Sequence, residues 1–111
     1  MPVIKIQPEY GTGPLWMKDS PTEPHSNLST DKFNLSASLK ERIDSWDKKY
    51  QNTLNHDYPP DSRFDSAQEE VIFEEEGLSI WKAMTNELSP EITIVYFSIL
   101  NNKLFSPQDM R

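Results

Sequence analysis

A chain of 111 residues with 35% hydrophobic content allows one domain with one modest core, to which three Trp, five Phe and four Tyr add large apolar area. A formal net charge of −7 and a pI near 4.7 argue against nucleic acid or an anionic membrane surface as direct partner, since both need a basic footprint; they favour a basic partner or plain solubility. With no cysteine, disulfides, thiolate metal sites and a cysteine nucleophile are excluded.

In chain order, Val3-Ile4-Lys5-Ile6-Gln7 is β-branched and ended by Pro8, which predicts a short strand. Gly11-Thr12-Gly13-Pro14 is turn chemistry, and Leu15-Trp16-Met17-Lys18 is a second strand that makes a hairpin with the first. Asp19 to Asn34 reads as a long surface loop anchored by Leu28 and Phe33.

Two amphipathic helices follow. Leu35, Leu39, Ile43, Trp46, Tyr50 and Leu54 recur at steps of three or four and predict a helix over Ser36–His56 with one narrow apolar stripe. Ser36 can cap it, and Ser38-Leu39-Lys40-Glu41 matches the capping-box pattern. Pro59-Pro60 prevents continuation, and the loop runs from Asp57 to Asp65. Ser66-Ala67-Gln68-Glu69 opens a second helix, Ser66–Leu88, stopped by Ser89-Pro90. Ile92–Leu100 is the strongest strand and is apolar on both alternating sets, which predicts cover on both faces or a place in mid-sheet. Asn101-Asn102 turns it into Lys103-Leu104-Phe105, a C-terminal hairpin, with a tail from Ser106. The fold class that covers both helical stripes most simply is α+β: two helices on one face of a small, mainly antiparallel sheet, as a single domain.

Catalytic patterns are not legible. His25 lies in the long loop and His56 near a predicted helix end, where the helix dipole favours it; neither has metal-ligand spacing or an adjacent nucleophile. Gly11-Thr12-Gly13-Pro14 lacks the further glycines and the following helix of a phosphate-binding loop. Trp46 and Trp81 fall on helix stripes and are expected in the core; the surroundings of Trp16 are less defined.

The second helix carries the informative mismatches. Glu69, Glu70, Glu74, Glu75 and Glu76 crowd its first half. The macrodipole accounts for Glu69 and Glu70 in the first turn, not for the three beyond it. At about 100° per residue, Val71, Phe73, Gly77, Leu78, Ile80, Trp81, Met84 and Leu88 share half the circumference. Ile72 falls opposite, among Glu69, Glu75 and Glu76: an ordinary exposed residue, or an anchor within a charged interface. Glu74 falls among apolar positions, where it pairs with a cation such as Arg63 or Arg42, or meets a partner. Tyr58 before two prolines is either a rigid aromatic display or a lid over the helix pair.

The runs Leu35-Ser36-Ala37-Ser38-Leu39-Lys40-Glu41-Arg42-Ile43-Asp44-Ser45-Trp46 and Leu54-Asn55-His56-Asp57-Tyr58-Pro59-Pro60-Asp61-Ser62 resemble a set of small bacterial proteins, as do Phe73-Glu74-Glu75-Glu76-Gly77-Leu78 and Val95-Tyr96-Phe97. The set is that of immunity proteins of polymorphic toxin systems, including contact-dependent growth inhibition, and the likeness covers roughly Leu15 to Phe105. It implies a non-enzymatic protein, without cofactor or metal, that binds a cognate toxin C-terminal domain and blocks or distorts its active site. Many such toxins are nucleases, basic where they hold phosphate, so an acidic inhibitor is steered toward them. The toxin-binding residues expected are Asp57, Tyr58, Asp61, Asp65, Glu69, Ile72, Glu75 and Glu76. The protein is expected to be a monomer forming a 1:1 complex. No basic start followed by an apolar run occurs, and Ile92–Leu100 is far too short to span a membrane, so the expected location is the cytoplasm. Two other readings are a general interaction or adaptor domain with no toxin partner, and a small hydrolase whose cleft would gather Glu74, Asp57 and His56.

Overall fold

The two N-terminal runs pair as their alternation requires. In the computed structural model, which describes residues 2–20 and 22–110 and the backbone but not the side chain of Asp61, β1 (Val3–Ile6) and β2 (Leu15–Lys18) form an antiparallel hairpin. Ile4 and Ile6 face Met17 and Leu15 on one side of it, and Lys5 faces Trp16 on the other. The chain then enters the segment read as a loop. It holds a two-residue strand, β3 (Ser26–Asn27), on the edge of β2, and a 3-10 turn over Thr30–Lys32 capped by Ser29. Such short elements have no periodicity for a sequence to display.

Two helices cross above the sheet. α1 (Ala37–Gln51) begins at Ser36, whose Oγ accepts the Leu39 N–H at 3.2 Å; the Ser38 box does not form the cap. α1 ends at Gln51, five residues before the predicted His56. Its apolar stripe runs on, but the Thr53 and Asn55 side chains compete for the backbone: Thr53 Oγ1 donates to the Tyr50 carbonyl at 2.7 Å, and Asn55 Oδ1 accepts from Asp57 and Tyr58 N–H at 3.0 Å each. His56 is therefore an exposed loop residue, not a contact of the helix end. α2 (Ala67–Glu87) starts as predicted, with Ser66 Oγ accepting the Glu69 N–H at 3.1 Å, and Leu88 is its C-cap.

β4 (Thr93–Ser98) lies parallel to β1, and β5 (Lys103–Phe105) returns antiparallel to β4. The order among the described residues is β3-β2-β1-β4-β5: a mixed, mostly antiparallel sheet under two helices, an α+β fold. The parallel pair arises because the chain leaves β1's hairpin and reaches β4 only after crossing through the helical layer. The residues from Ser106 to Met110 are not a loose tail. Pro107–Asp109 makes a 3-10 turn boxed by Ser106 and Asp109, and Met110 packs against the core.

The core fills the space between helices and sheet. Ile4, Ile6, Ile43, Trp46, Ile80 and Met84 are fully buried. Trp46 stacks on Phe73 with ring centroids 4.6 Å apart and donates its Nε1–H to the Phe73 carbonyl at 2.9 Å; Trp81 donates to the Ile94 carbonyl at 2.8 Å. Each indole thus buries its apolar body while its one donor joins two elements, helix to helix and helix to sheet. Val71, placed on the apolar arc by periodicity, is instead 41% exposed, because the first turns of α2 project beyond α1's shortened end. β4 takes the mid-sheet place that its two apolar sets allowed, between β1 and β5; Thr93, Val95 and Phe97 point away from the helices, half-buried, and do not pack against the core.

Candidate functional site

The loop between the helices is tied at its neck. Asn55 N–H donates to Ser62 Oγ at 2.7 Å, and a 3-10 turn over Pro59–Asp61 fills the crest. Between these ties Asp57 and Tyr58 are held outward. Tyr58 is 58% exposed, so it does not fold down over the helix pair; the prolines and the Asn55 side chain fix the backbone that displays it. The side chain of Asp61 lies outside the described structure.

The end of α1, residues 63–65 and the first turns of α2 enclose an open cleft of about 410 Å³. Its apolar surface comes from Phe64, Ile72 and the buried Phe73, with the two phenyl rings 4.9 Å apart. Its polar lining has both signs: Asp65 and Glu69, Lys49 and Arg63. Three of the eight expected binding residues, Asp65, Glu69 and Ile72, therefore line one cavity. Ile72 is 51% exposed at its mouth, as its place on the helix circumference required. Asp57 and Tyr58 are not part of the lining, and Glu75 is exposed on α2 nearby in sequence. Glu76 is partly exposed and pairs with Lys49 Nζ at 3.0 Å, a surface link that joins α2 to the α1 end of the cleft.

Among the described residues, Asp57, Asp65, Glu69 and Glu75 have no ion-pair partner. The N-terminal end of α2 partly offsets the charge of Glu69, while Glu75 lies beyond its reach. The cleft's other lining residues, Lys49, Asn52, Thr53, Arg63 and Phe64, were not foreseen. Lys49 reads in sequence as one more solvated position of α1. Phe64 was the available signal: one large apolar residue in a polar loop, just ahead of a helix cap.

Glu74 has a different role from either expected one. It is 5% exposed, and among the described residues no arginine pairs with it. Its Oε2 accepts from Ser98 Oγ at 2.6 Å and its Oε1 from Tyr96 Oη at 3.0 Å, with Asn101 Nδ2 at 3.5 Å. Arg42 is instead bonded to Ser79 Oγ at 2.8 Å, and Arg63 lines the cleft. Burial and then the Glu74 charge hold the Tyr96 phenol well above its ordinary pKa, so it stays a donor. Glu74 is a polar tie between α2 and β4, while His56 and Asp57 are exposed on the loop; the three do not gather as a hydrolase site would need.

Among the described residues, no helix is long and apolar enough to cross a membrane. A family model described as Serratia CdiI immunity protein-like matches residues 2–99, which take in both helices, the cleft and β1 through β4. No curated protein is similar enough to match.

Proposed function

This chain belongs to the Serratia CdiI immunity protein-like family, and on that premise we propose that it binds and neutralises a cognate toxin domain through the acidic start of α2 and the cleft beside it. The observation that carries the assignment of this surface is the position of Ile72. It is an exposed aliphatic side chain at the mouth of a cleft with an aromatic floor, and Asp65 and Glu69 share the lining. An apolar anchor among unpaired charges is the anatomy of a protein–protein contact.

The toxin this surface suits is basic, as a nuclease is where it grips phosphate. Asp57, Asp65, Glu69 and Glu75 steer it at long range, which raises the association rate; Ile72 and the cleft then hold it by excluding water. Tyr58 supplies a second, rigid contact from the loop crest. Inhibition by occupying or distorting the toxin's active site needs no chemistry from this protein, only a 1:1 complex formed in the cytoplasm before the toxin finds its substrate.

Co-expression with the product of the adjacent gene tests this. The expected result is that the neighbouring product's C-terminal domain kills cells when expressed alone, is harmless beside this protein, and co-purifies with it. A neighbour that is not toxic and does not bind would favour an adaptor role instead.

A further inference from the structure

No helix packs on the side of the sheet turned away from α1 and α2, where Val3, Trp16, Val95 and Phe97 are half-buried among strand neighbours and Leu104 is exposed. Val3, Trp16, Val95, Phe97 and Leu104 share it by register: Val3 lies two residues from Lys5, Lys5 pairs with both Trp16 and Val95, and Phe97 pairs with Leu104. None of the five belongs to the core or packs against it. The charges there are of one sign. Lys5 and Lys18 point to this face beside Trp16 and Val3, and no outward strand position carries a carboxylate, in a chain whose net charge is −7. Lys5 Nζ lies 5.9 Å from the centre of the Trp16 ring, and neither lysine has an ion-pair partner among the described residues. His25, at the β3 edge, has a buried Nε2 with no hydrogen-bond partner; burial and then Lys5 and Lys18 lower its pKa, so the ring is neutral at pH 7.

We infer that this helix-free face is a second docking surface, for a protein partner that presents carboxylates among apolar side chains. An apolar field with two unpaired lysines and no acid repels the basic kind of partner that suits α2, and it is complementary to an acidic one. A second copy of this chain does not satisfy it, because two-fold packing of this face would bring the lysines of both copies together with no anion between them. Single-stranded nucleic acid stacks on aromatic sheets, but two lysines on a strongly acidic chain neutralise too little phosphate to hold it. The inference stands on the sheet alone and does not depend on the toxin reading.

The test uses the whole protein and three probes: a synthetic strand-forming peptide alternating Leu and Glu, its Leu and Lys counterpart, and a single-stranded oligothymidylate. Amide and indole chemical shifts report where each binds. The acidic peptide is expected to shift Val3, Lys5, Trp16, Val95 and Phe97 and to leave the α2 start unmoved. Lys5→Glu with Lys18→Glu should weaken it by about tenfold or more while keeping the wild-type melting temperature within a few degrees, and Trp16→Ala should weaken it too. Equal binding of the basic peptide overturns the inference. So does a preference for the oligonucleotide at these residues, or concentration-dependent self-association mapped to this face.

Discussion

The Tyr96 hydroxyl occupies the space that Gly77 leaves by having no side chain. A Cβ built on Gly77 would collide with that hydroxyl and come within 2.7 Å of Trp46 Cζ2. This glycine lets α2 settle close enough to β4 for Glu74, one turn earlier, to reach Tyr96 and Ser98.

Gly77→Ala is therefore expected to destabilise the fold by about 1–3 kcal/mol, as overpacking does. The sign is informative, because alanine at an unconstrained helix position would stabilise by about 1 kcal/mol. Urea unfolding checks it.

Glu74→Gln keeps an acceptor and places an amide where the hydroxyls can rotate to meet it. Glu74→Leu strands the Tyr96 and Ser98 hydroxyls in the core. The expected order of loss is small for Gln and about 1–3 kcal/mol for each group left unpaired for Leu, read from the same unfolding curves.

Glu87, at the end of α2, accepts the Ser36 backbone N–H at 2.7 Å and the Ser36 hydroxyl at 2.8 Å, so one helix's last residue completes the other's cap. The Ser36 N–H and hydroxyl lower the Glu87 pKa. A carboxyl whose folded pKa is depressed stabilises above its unfolded pKa, and that contribution is lost as pH falls through the folded value. Glu87→Gln should thus lower the melting temperature at pH 7, and the gap to wild type should close as pH drops below the ordinary glutamate range. A gap that stays constant with pH would refute the ionic part of this cap.

Glu69→Lys with Glu75→Lys should weaken toxin binding and flatten its dependence on salt, mainly by slowing association. Ile72→Ala should weaken it through faster dissociation, and its unfolding free energy should stay within about 0.5 kcal/mol of wild type because the side chain is half exposed. Glu76→Gln removes the exposed Lys49 link across the cleft wall, so its effect on binding combines lost charge with a looser wall. Stopped-flow binding at two salt concentrations separates the three.

Much of this was legible before any fold was known. Strong periodicity marked both helices, and the serines ahead of them marked where each begins. It also placed Ile72 outside and Trp46 and Trp81 inside. Periodicity said less where side chains compete with the backbone, so the expected helix overran at Thr53 and Asn55. It was silent on two-residue pairings such as β3. For Glu74 the position was read correctly and the partner was not, because a carboxylate in a core suggests a cation until a hydroxyl-bearing strand is seen beneath it. Tyr58 could not be assigned between lid and display, since that depends on how Asn55 and Ser62 close the loop.

The sequence by itself determined most of the residues that turn inward on each helix (Val71 excepted), where the helices start, and that acid concentrates at the head of α2. These are properties of neighbours in the chain, set by local geometry. Only the tertiary structure decided that Asp65, Glu69 and Ile72 share a cleft with residues of α1, that Glu76 pairs with Lys49, and that the helix-free side of the sheet carries lysines alone among the charges of its strands. Each of those joins residues far apart in the chain, and such contacts exist only once burial of one face has fixed how the layers stack.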